Sequence, residues 1–465
     1  MIIRFSTIIT AFLCIIAVKT NFADVTSAQM HSDTVVYIRA VEIYGNVTTR
    51  PEILKRFITF DIGDQLDTSA LRVTRNNLIR TQLFEGVNVF PHIREDGAHV
   101  FIVLKEAVRL SLGYSGEYGT HKYGREKLWW SVHLDAGLHN FRGQFEDISG
   151  GVSFWERRGV RASWDKPFLS TPYSIGAAAA ISIYPDEWLP LDYRDISARI
   201  TAGRRVGRYS QVSLSAIPIM RHRTVREEIM LGNDATVIPL STIPNIYEAF
   251  GVLSFVNDLR SSRFDPQKGW YLRNEIRTNR LYYDLTEPFV QFRNDFRYYL
   301  PMLFDDMMAL RLSVTLRDSE AGYYHRLLYG DAGQIRGYNQ KELGWNFIAN
   351  SSVLISAKYH KPVWKAPALK MPLVNTVYSG VNEISYRLDA ALIADYARLY
   401  KDPHGVLLFE GPAQSGMGFG GGIRIVIPEI RQSGCIDIVW GRKETLQGSS
   451  HEWKKVIHLY FDLFY

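Results

Sequence analysis

The chain has 465 residues and a net charge of +6 at pH 7, and its basic residues form no continuous tract, so its charge gives no support for nucleic-acid binding. Aromatic residues make up 13% of the chain, with 26 tyrosines and 24 phenylalanines, yet the mean hydropathy is slightly negative at -0.11. This combination is typical of many short strands that each have one apolar and one polar face.

Residues 1–23 predict a secretory signal peptide. Phe5 to Val18 is an apolar run preceded by Arg4, and it is shorter than the about 20 apolar residues that a membrane-spanning helix requires. Removal of this segment would leave Cys435 as the single cysteine, which excludes a disulfide framework and a cysteine-based metal site. Residues 24–34 are interpreted as a linker.

Residues 35–106 predict a small α/β domain with the order strand, helix, helix, strand, strand. Pro51 suits the first turn of a helix, and Asp67 is a favourable N-cap for a second helix. Leu71, Leu78 and Leu83 follow Asp67 at roughly helical spacing. Runs rich in β-branched and aromatic residues mark the three strands, Val35–Ile43, Val87–Ile93 and His99–Leu104.

This domain resembles a POTRA domain, the polypeptide-transport-associated module found ahead of outer-membrane assembly and secretion barrels. The motifs that carry the resemblance are Ile43-Tyr-Gly45-Asn46, Gly63-Asp64, Leu83-Phe84-Glu85-Gly86-Val87 and Val103-Leu-Lys-Glu106. The resemblance implies that clients bind by adding an extended segment to an exposed sheet edge. That mode depends on main-chain hydrogen bonds and accepts clients of many sequences.

Residues 107–465 predict a transmembrane antiparallel β-barrel, so the fold class is mainly β. Short segments alternate in polarity, and Leu388 to Tyr400 shows the pattern most clearly: its even positions are mostly apolar, while Asp389 and Asp395 stand at odd positions. Successive strand residues point to opposite faces, so this strand has one lipid-compatible face and one polar face. At roughly 10 residues per tilted strand, plus turns, the length accommodates about 16 strands.

The closing segment has apolar residues on one face, namely Leu459, Phe461, Leu463 and Tyr465. Its aromatic final residue resembles the last strand of bacterial outer-membrane barrels. This similarity favours membrane insertion.

Four further blocks resemble motifs of the outer-membrane assembly superfamily that includes BamA, TamA and the two-partner secretion transporters. They are Asn140–Glu146, Trp164–Phe168, the Asp-Pro-x-x-Gly-Trp block Phe264–Trp270, and Gly330–Tyr338. In the last block Gly333, Arg336, Gly337 and Tyr338 match the family's Arg-Gly-aromatic loop. The resemblance implies that this loop folds back into the barrel lumen between two late strands.

An arginine inside a barrel needs a carboxylate partner or water, because an unpaired buried charge is costly. A lysine would not be equivalent, since the guanidinium is a planar fork of donors that is always charged. By its resemblance to the family's late-barrel strand, Asp395 is the expected partner of Arg336, with Asp389 in reserve. The sequence departs from the family at Ala397, where a glycine is usual, and before Pro362, where no glutamate occurs.

The resemblance implies an outer-membrane protein that inserts or translocates other polypeptides, with its POTRA domain in the periplasm. Its first and last strands, near Val108–Tyr118 and Val456–Tyr465, would pair weakly and open sideways. The expected partners are unfolded outer-membrane or secreted polypeptides, membrane lipid, and periplasmic or lipoprotein accessory subunits. The sequence contains no recognisable catalytic motif, so neither an enzyme activity nor a cofactor is expected.

Two alternatives keep the barrel and change its role. The protein could be a passive or specific pore in which the α/β domain acts as a plug or tether. It could instead be a surface antigen or adhesin whose long loops, such as Pro185–Asp192 and Val225–Asn245, bind partners.

Overall fold

The structure is a computed structural model. The residues it describes are 35–81, 83–107, 109–121, 127–167, 172–185, 191–207, 209–225, 245–262, 265–283, 288–318, 327, 334–338, 349–367, 369–370, 383–402, 405–408, 411–428, 432–445, 448–449 and 453–461. The predicted signal peptide and linker lie outside the described residues.

The N-terminal α/β domain is a three-stranded sheet with two helices on one face. Its elements are β1 (Ile38–Tyr44), α1 (Pro51–Leu54) continued by a 3₁₀ turn (Lys55–Phe57), α2 (Thr68–Arg80), β2 (Phe84–Arg94) and β3 (Gly97–Glu106). The sheet order is β1-β3-β2, with β1 parallel and β2 antiparallel to β3. The expectation that Leu83 belongs to the second helix is wrong, because α2 ends at Arg80 and the Leu83 carbonyl accepts a hydrogen bond from the backbone N–H of Ala107.

Local signals explain where these helices begin. Pro51 starts α1, where its missing N–H is not needed. The Asp67 side chain caps α2 by accepting a hydrogen bond from the backbone N–H of Ser69 at 2.7 Å. The helices and the sheet bury a common apolar core that includes Ile38, Leu54, Leu71, Leu78, Val100 and Ile102.

Sixteen long antiparallel strands and one two-residue strand form a closed barrel among the described residues, so the mainly β fold class with about 16 barrel strands is confirmed. The first eight are β4 (Leu110–His121), β5 (Lys127–Phe141), β6 (Glu146–Trp155), β7 (Arg158–Lys166), β8 (Tyr173–Pro185), β9 (Leu191–Arg205), β10 (Ser210–Val225) and β11 (Ile246–Asp258). The later strands are β12 (Gly269–Tyr283), β13 (Val290–Pro301), β14 (Met307–Arg317), β15 (Ser351–Lys365), β18 (Arg387–Tyr400), β19 (Ala413–Ile427), β20 (Gln432–Thr445), the short β21 (Gly448–Ser449) and β22 (Lys454–Phe461).

Three small elements complete the described structure: β16 (Leu369–Lys370), β17 (Glu383–Ile384) and α3 (Gly405–Leu408). The strands β16 and β17 pair with each other, outside the barrel sheet. No helix in the described ranges combines the length and apolar character that crossing a membrane requires.

The barrel strands alternate between a lumen face and an outer face. On β18 the odd residues from Asp389 to Leu399, including Asp395, are buried inside the barrel, whereas Leu392 on the outer face is 59% exposed. Large apolar residues repeat this outward position on neighbouring strands, for example Phe419, Ile423 and Ile436. The barrel therefore offers an apolar exterior to lipid and a charged interior.

The α/β domain packs on one end of the barrel, which we call the domain-side end. The contact is the turn between β5 and β6, whose Phe145 is buried in the core of the α/β domain and stacks on Phe57 at a ring-centroid distance of 5.4 Å. The Asn140 side-chain amide donates to the Thr49 hydroxyl at 2.9 Å. Because strands alternate in direction, the turn between β11 and β12 also lies at the domain-side end, and the segment between β14 and β15 begins at the opposite end.

The barrel closes where β22 lies beside β4, the last strand beside the first. We call this junction the seam. The two strands correspond to the segments that the sequence assigned to the first and last strands. A barrel has no free edge only while its seam is paired.

Candidate functional site in the barrel lumen

Arg336 lies inside the barrel, on the segment between β14 and β15 that we call the lumen loop. Residues 334–338 of this loop are described, and the side chain of Arg336 is 0% exposed. Strand β14 ends at the opposite end of the barrel from the α/β domain, and residues 334–338 lie inside the lumen. A permanent charge in such a place requires compensation close by.

Asp395 supplies that compensation from the lumen face of β18. Its carboxylate accepts two guanidinium hydrogen bonds from Arg336, from Nε at 2.7 Å and from Nη2 at 2.6 Å. The backbone N–H of Arg336 also donates to the carboxylate at 2.9 Å. This is the bidentate geometry that a guanidinium fork makes and an ammonium group cannot reproduce.

Ser356 completes this contact from the neighbouring strand, β15. It stands directly opposite Asp395 in the strand register, and its hydroxyl donates to the Asp395 carboxylate at 2.6 Å while accepting from Arg336 Nη2 at 2.8 Å. The sequence had shown no acid on this strand ahead of Pro362. On this strand a neutral serine therefore contacts both Arg336 and Asp395.

A second carboxylate reaches the guanidinium from β20. Asp437 lies 3.8 Å from Arg336 Nη1 and 3.4 Å from the Lys358 ammonium group, and the side chains of all three residues are almost fully buried. With Asp395, the cluster holds two positive and two negative charges. Its formal charge is therefore balanced inside the barrel.

The backbone of the loop lies against two strands with no space for added atoms. Gly337 has a φ of +91°, and a Cβ on it would lie 2.8 Å from the Cα of Gly441 on β20. On β19, a Cβ on Gly418 would lie 2.1 Å from the Arg336 carbonyl oxygen. Glycines on the lumen faces of β19 and β20 thus permit the close approach of the loop.

Tyr338 fixes the far side of the loop. Its hydroxyl accepts a hydrogen bond from the backbone N–H of Met417 at 3.0 Å and donates to the carbonyl of Arg442, so it joins β19 to β20. The ring packs in an apolar cluster with Ile335 and with Ala397 on β18. Ala397 occupies the position where the sequence departs from the usual glycine, and its methyl group contributes to the packing of the loop.

The last strand also contacts the loop. The backbone N–H of Gly337 donates to Nε2 of His458 on β22 at 3.1 Å, and His458 stands opposite Asp437 in the strand register. The loop thus contacts β15, β18, β19, β20 and the strand at the seam. Sequence reasoning had not identified Ser356, Lys358, Asp437 or His458, because spacing along one strand gives no information about register between strands.

Asp389, the reserve partner of Arg336, lies elsewhere on β18. Its carboxylate binds the Arg387 guanidinium at 2.7 and 2.9 Å, and Arg424 lies 4.0 Å away. Gly333, Leu463 and Tyr465 lie outside the described residues. Leu459 faces outward and is 58% exposed, and the backbone of Phe461 ends β22.

The profile of the Omp85 superfamily domain matches residues 137–430, which is more than half of the chain and includes the lumen loop and its anchors on β15, β18 and β19. The chain belongs to the Omp85 superfamily. A search of curated protein sequences found no significant match. Among the described residues, no group of three His, Cys, Asp or Glu side chains is close enough to hold a metal ion.

Solved structures with the same fold include BamA and two CdiB proteins. BamA from Haemophilus ducreyi lacking POTRA domains 1-3 matches with a TM-score of 0.54 and 15% identity over 92% of this chain and 84% of that one. CdiB from Acinetobacter baumannii matches with a TM-score of 0.55 and 13% identity, over 92% of this chain and 74% of that one. CdiB from Escherichia coli matches with a TM-score of 0.51 and 9% identity, over 95% of this chain and 92% of that one. Membership of the Omp85 superfamily supports an outer-membrane location and a role in polypeptide insertion or secretion.

Proposed function

We propose that this Omp85 protein inserts or translocates polypeptides by opening its barrel sideways at the seam between β4 and β22. The observation that carries the proposal is the bond from Gly337 to His458, because it ties the lumen loop directly to the strand at the seam. The same loop is anchored by Arg336 to Asp395 on β18. Docking of the loop therefore stabilises the closed position of the last strand.

An opened seam exposes the unpaired backbone of the first and last strands. Unpaired backbone groups cost several kcal/mol each in lipid, so an extended client segment that pairs with them is stabilised. Under this proposal the free energy of strand pairing drives insertion. No nucleotide, cofactor or covalent step is required, and the protein acts without enzyme activity.

The α/β domain acts in this proposal as a periplasmic POTRA domain. Its strand β2 lies at an edge of the three-stranded sheet, where an extended polypeptide can add as a further strand. Main-chain pairing gives little selectivity for side chains, which suits unfolded outer-membrane or secreted clients. Its packing on the β5–β6 turn holds this edge at the domain-side end of the barrel.

The test is depletion of the protein in its native host, followed by quantitative comparison of outer-membrane barrel proteins with periplasmic controls. A broad fall in barrel proteins supports general assembly, and loss of one exported protein supports dedicated secretion. Unchanged levels of all outer-membrane and exported proteins would overturn the proposal. That outcome would favour a pore or a surface antigen.

Complementation of the depleted host tests the lumen loop itself. The single variants Arg336→Asp and Asp395→Arg each place two like charges together in a buried site, so both are expected to lose function. The double variant restores opposite charges and is expected to recover part of it. Full function in both single variants would remove the loop from the mechanism.

A further inference from the structure

The turn between β11 and β12 lies at the domain-side end of the barrel, and its described residues, 259–262 and 265–268, are held by several hydrogen bonds. The backbone N–H of Ser261 donates to the carbonyl of Lys268 at 2.9 Å, and the Ser261 hydroxyl accepts from the backbone N–H of Gln267 at 3.1 Å. At the base of the turn, the Arg260 guanidinium binds Asp258 at 2.9 Å. These contacts hold the turn as a compact projection, which we call the latch turn.

The latch turn contacts strands that are not its neighbours in the sheet. Its Asp265 carboxylate lies 2.9 Å from Arg387 on β18 and 2.9 Å from Arg424 on β19. The strands β13, β14 and β15 separate β12 from β18 in the barrel. Four steps between neighbouring strands amount to about 19 Å, so the latch turn must leave the barrel wall and extend across the interior.

Four charged side chains lie together where the latch turn contacts β18 and β19. Arg387 also binds Asp389, which stands opposite Arg424 in the strand register. The side chains are 16% exposed at Asp265, 19% at Arg387, 10% at Arg424 and 1% at Asp389. Two positive and two negative charges balance, and Pro266 next to Asp265 is buried as well.

Burial alone would raise the pKa of Asp265, but the guanidiniums of Arg424 and Arg387 hold that pKa below its usual range. The carboxylate is therefore ionised in the closed arrangement. If the latch turn moved away, one positive charge in this cluster would lack a counter-charge. A mostly buried arginine pair in that state requires another anion.

We propose that the latch turn partly closes the domain-side mouth of the barrel, and that Arg387 and Arg424 form a carboxylate-binding site that Asp265 covers. When the latch turn swings out, a carboxylate of an entering polypeptide replaces Asp265 on the two arginines. The nature of this ligand rests on the proposed function. The closure of the mouth does not, and it is tested without any client.

The site is distinct from the contact of the lumen loop. Asp389 and Asp395 stand on the same face of β18, six residues apart, which is about 20 Å along a strand. Arg336 reaches Asp395 from the opposite end of the barrel, while Asp265 reaches Arg387 beside Asp389 from the domain-side end. Strands β18 and β19 therefore bind the lumen loop, which comes from one end of the barrel, and the latch turn, which comes from the other.

The experiment measures single-channel currents of the full-length protein in planar bilayers. Asp265→Asn removes the latch contact and leaves one excess positive charge, so we expect higher conductance and a reversal potential shifted towards anions. In the double variant Asp265→Asn with Arg424→Gln the charges balance again. Its conductance should also rise, without the shift in selectivity.

Asp305→Asn is the matched control, because it also removes a carboxylate at the domain-side end, from the turn between β13 and β14, where Asp305 is 78% exposed and pairs with Lys365 at 3.2 Å. Its conductance should equal that of the parent protein. Parental conductance in both latch variants would overturn the closure, as would an equal rise in the control. If Asp265→Asn alone fails to fold, the charge-balanced double variant decides the outcome.

The carboxylate site is tested with an acidic hexapeptide and its amide counterpart, in which asparagine replaces every aspartate. The acidic peptide should block the current of the Asp265→Asn variant at concentrations that leave the parent unaffected, and the amide peptide should block neither. Equal block by both peptides would overturn the binding site. The two proposals can fail separately. If the conductance and peptide results are as expected but depletion shows that the protein has no clients, the proposed function is rejected and the latch turn is retained.

Discussion

The imidazole Nε2 of His458 on the last strand accepts a hydrogen bond from the backbone N–H of Gly337 in the lumen loop, at 3.1 Å. In His458→Ala this N–H loses its acceptor in a part-buried site, which costs about 1 to 3 kcal/mol. We expect the variant barrel to unfold at lower temperature, as measured by its heat-dependent migration on gels. His458→Gln retains a side-chain acceptor and should recover part of the loss.

Outward-facing Leu459 provides the control for this prediction, because it neighbours His458 on β22 and its side chain is 58% exposed on the outer face. Leu459→Val should leave the unfolding temperature close to that of the parent. If His458→Ala is as stable as the parent, the bond to Gly337 does not hold the last strand. Acidification should act like the alanine variant, since a protonated imidazole has no lone pair to accept this bond.

The two partners of Arg336, Asp395 and Ser356, should contribute unequally to the stability of the barrel. Asp395→Asn leaves the guanidinium without its bidentate partner in a fully buried site, which costs about 3 to 5 kcal/mol. Ser356→Ala removes a neutral hydroxyl from the same contact and should cost about 1 kcal/mol. Urea unfolding of the barrel in detergent measures both values, and equal losses would contradict the dominance of the charge pair.

Part of this site was predictable from sequence because it depends on alternation within one strand. The alternation of Leu388–Tyr400 assigned Asp389 and Asp395 to the lumen face, and the structure places both there. Which of them contacts Arg336 depended on the depth to which the loop descends. The family resemblance favoured Asp395, whereas alternation alone treated the two carboxylates alike.

The rest of the site depends on contacts between distant segments. Ser356 and Asp437 contact Arg336 through the register of β15 and β20, and Asp265 reaches β18 from a turn more than one hundred residues earlier in the chain. Phe145 belongs to the block Asn140–Glu146 that resembles a family motif, and nothing in that block indicated that its ring is buried in the core of the α/β domain. Such contacts arise from closure of the barrel and from domain packing, which a local pattern does not encode.

A substitution at Gly418 tests how closely the lumen loop must approach β19. In Gly418→Ala the new Cβ would lie 2.1 Å from the Arg336 carbonyl oxygen, so the loop cannot keep its position. We expect trypsin to cleave after Arg336 in folded barrels of this variant, whereas the parent should resist cleavage there. Gly150→Ala is the control, because its Cβ would meet a neighbouring atom only at 3.5 Å; resistance in both variants would show that the loop tolerates displacement from β19.

Phe145 predicts that the α/β domain can be loosened from the barrel without unfolding either part. Its ring stacks on Phe57, and Phe145→Ala should cost about 3 to 5 kcal/mol of packing at this contact. We expect faster hydrogen exchange in α1 and the following 3₁₀ turn, with unchanged exchange in the barrel strands. Phe154→Ala, at an outward position that is 44% exposed, should leave exchange in α1 unchanged.

Asp67 predicts a pH dependence that is confined to the α/β domain. Hydrogen bonds from the Ser69 hydroxyl and backbone N–H lower the pKa of Asp67 below its ordinary value of 3.8. Because the folded pKa is the lower one, the cap stabilises α2 fully above the unfolded pKa, and this stabilisation is lost as the pH falls through the folded pKa. Asp67→Ala should destabilise α2 by about 1 kcal/mol at pH 7. Asp67→Asn should retain most of the cap without its pH dependence. The ratio of the hydrogen-exchange rates of α2 in the parent and in this variant should therefore change only under acidic conditions. A constant ratio down to pH values below 3.8 would contradict this role of the carboxylate.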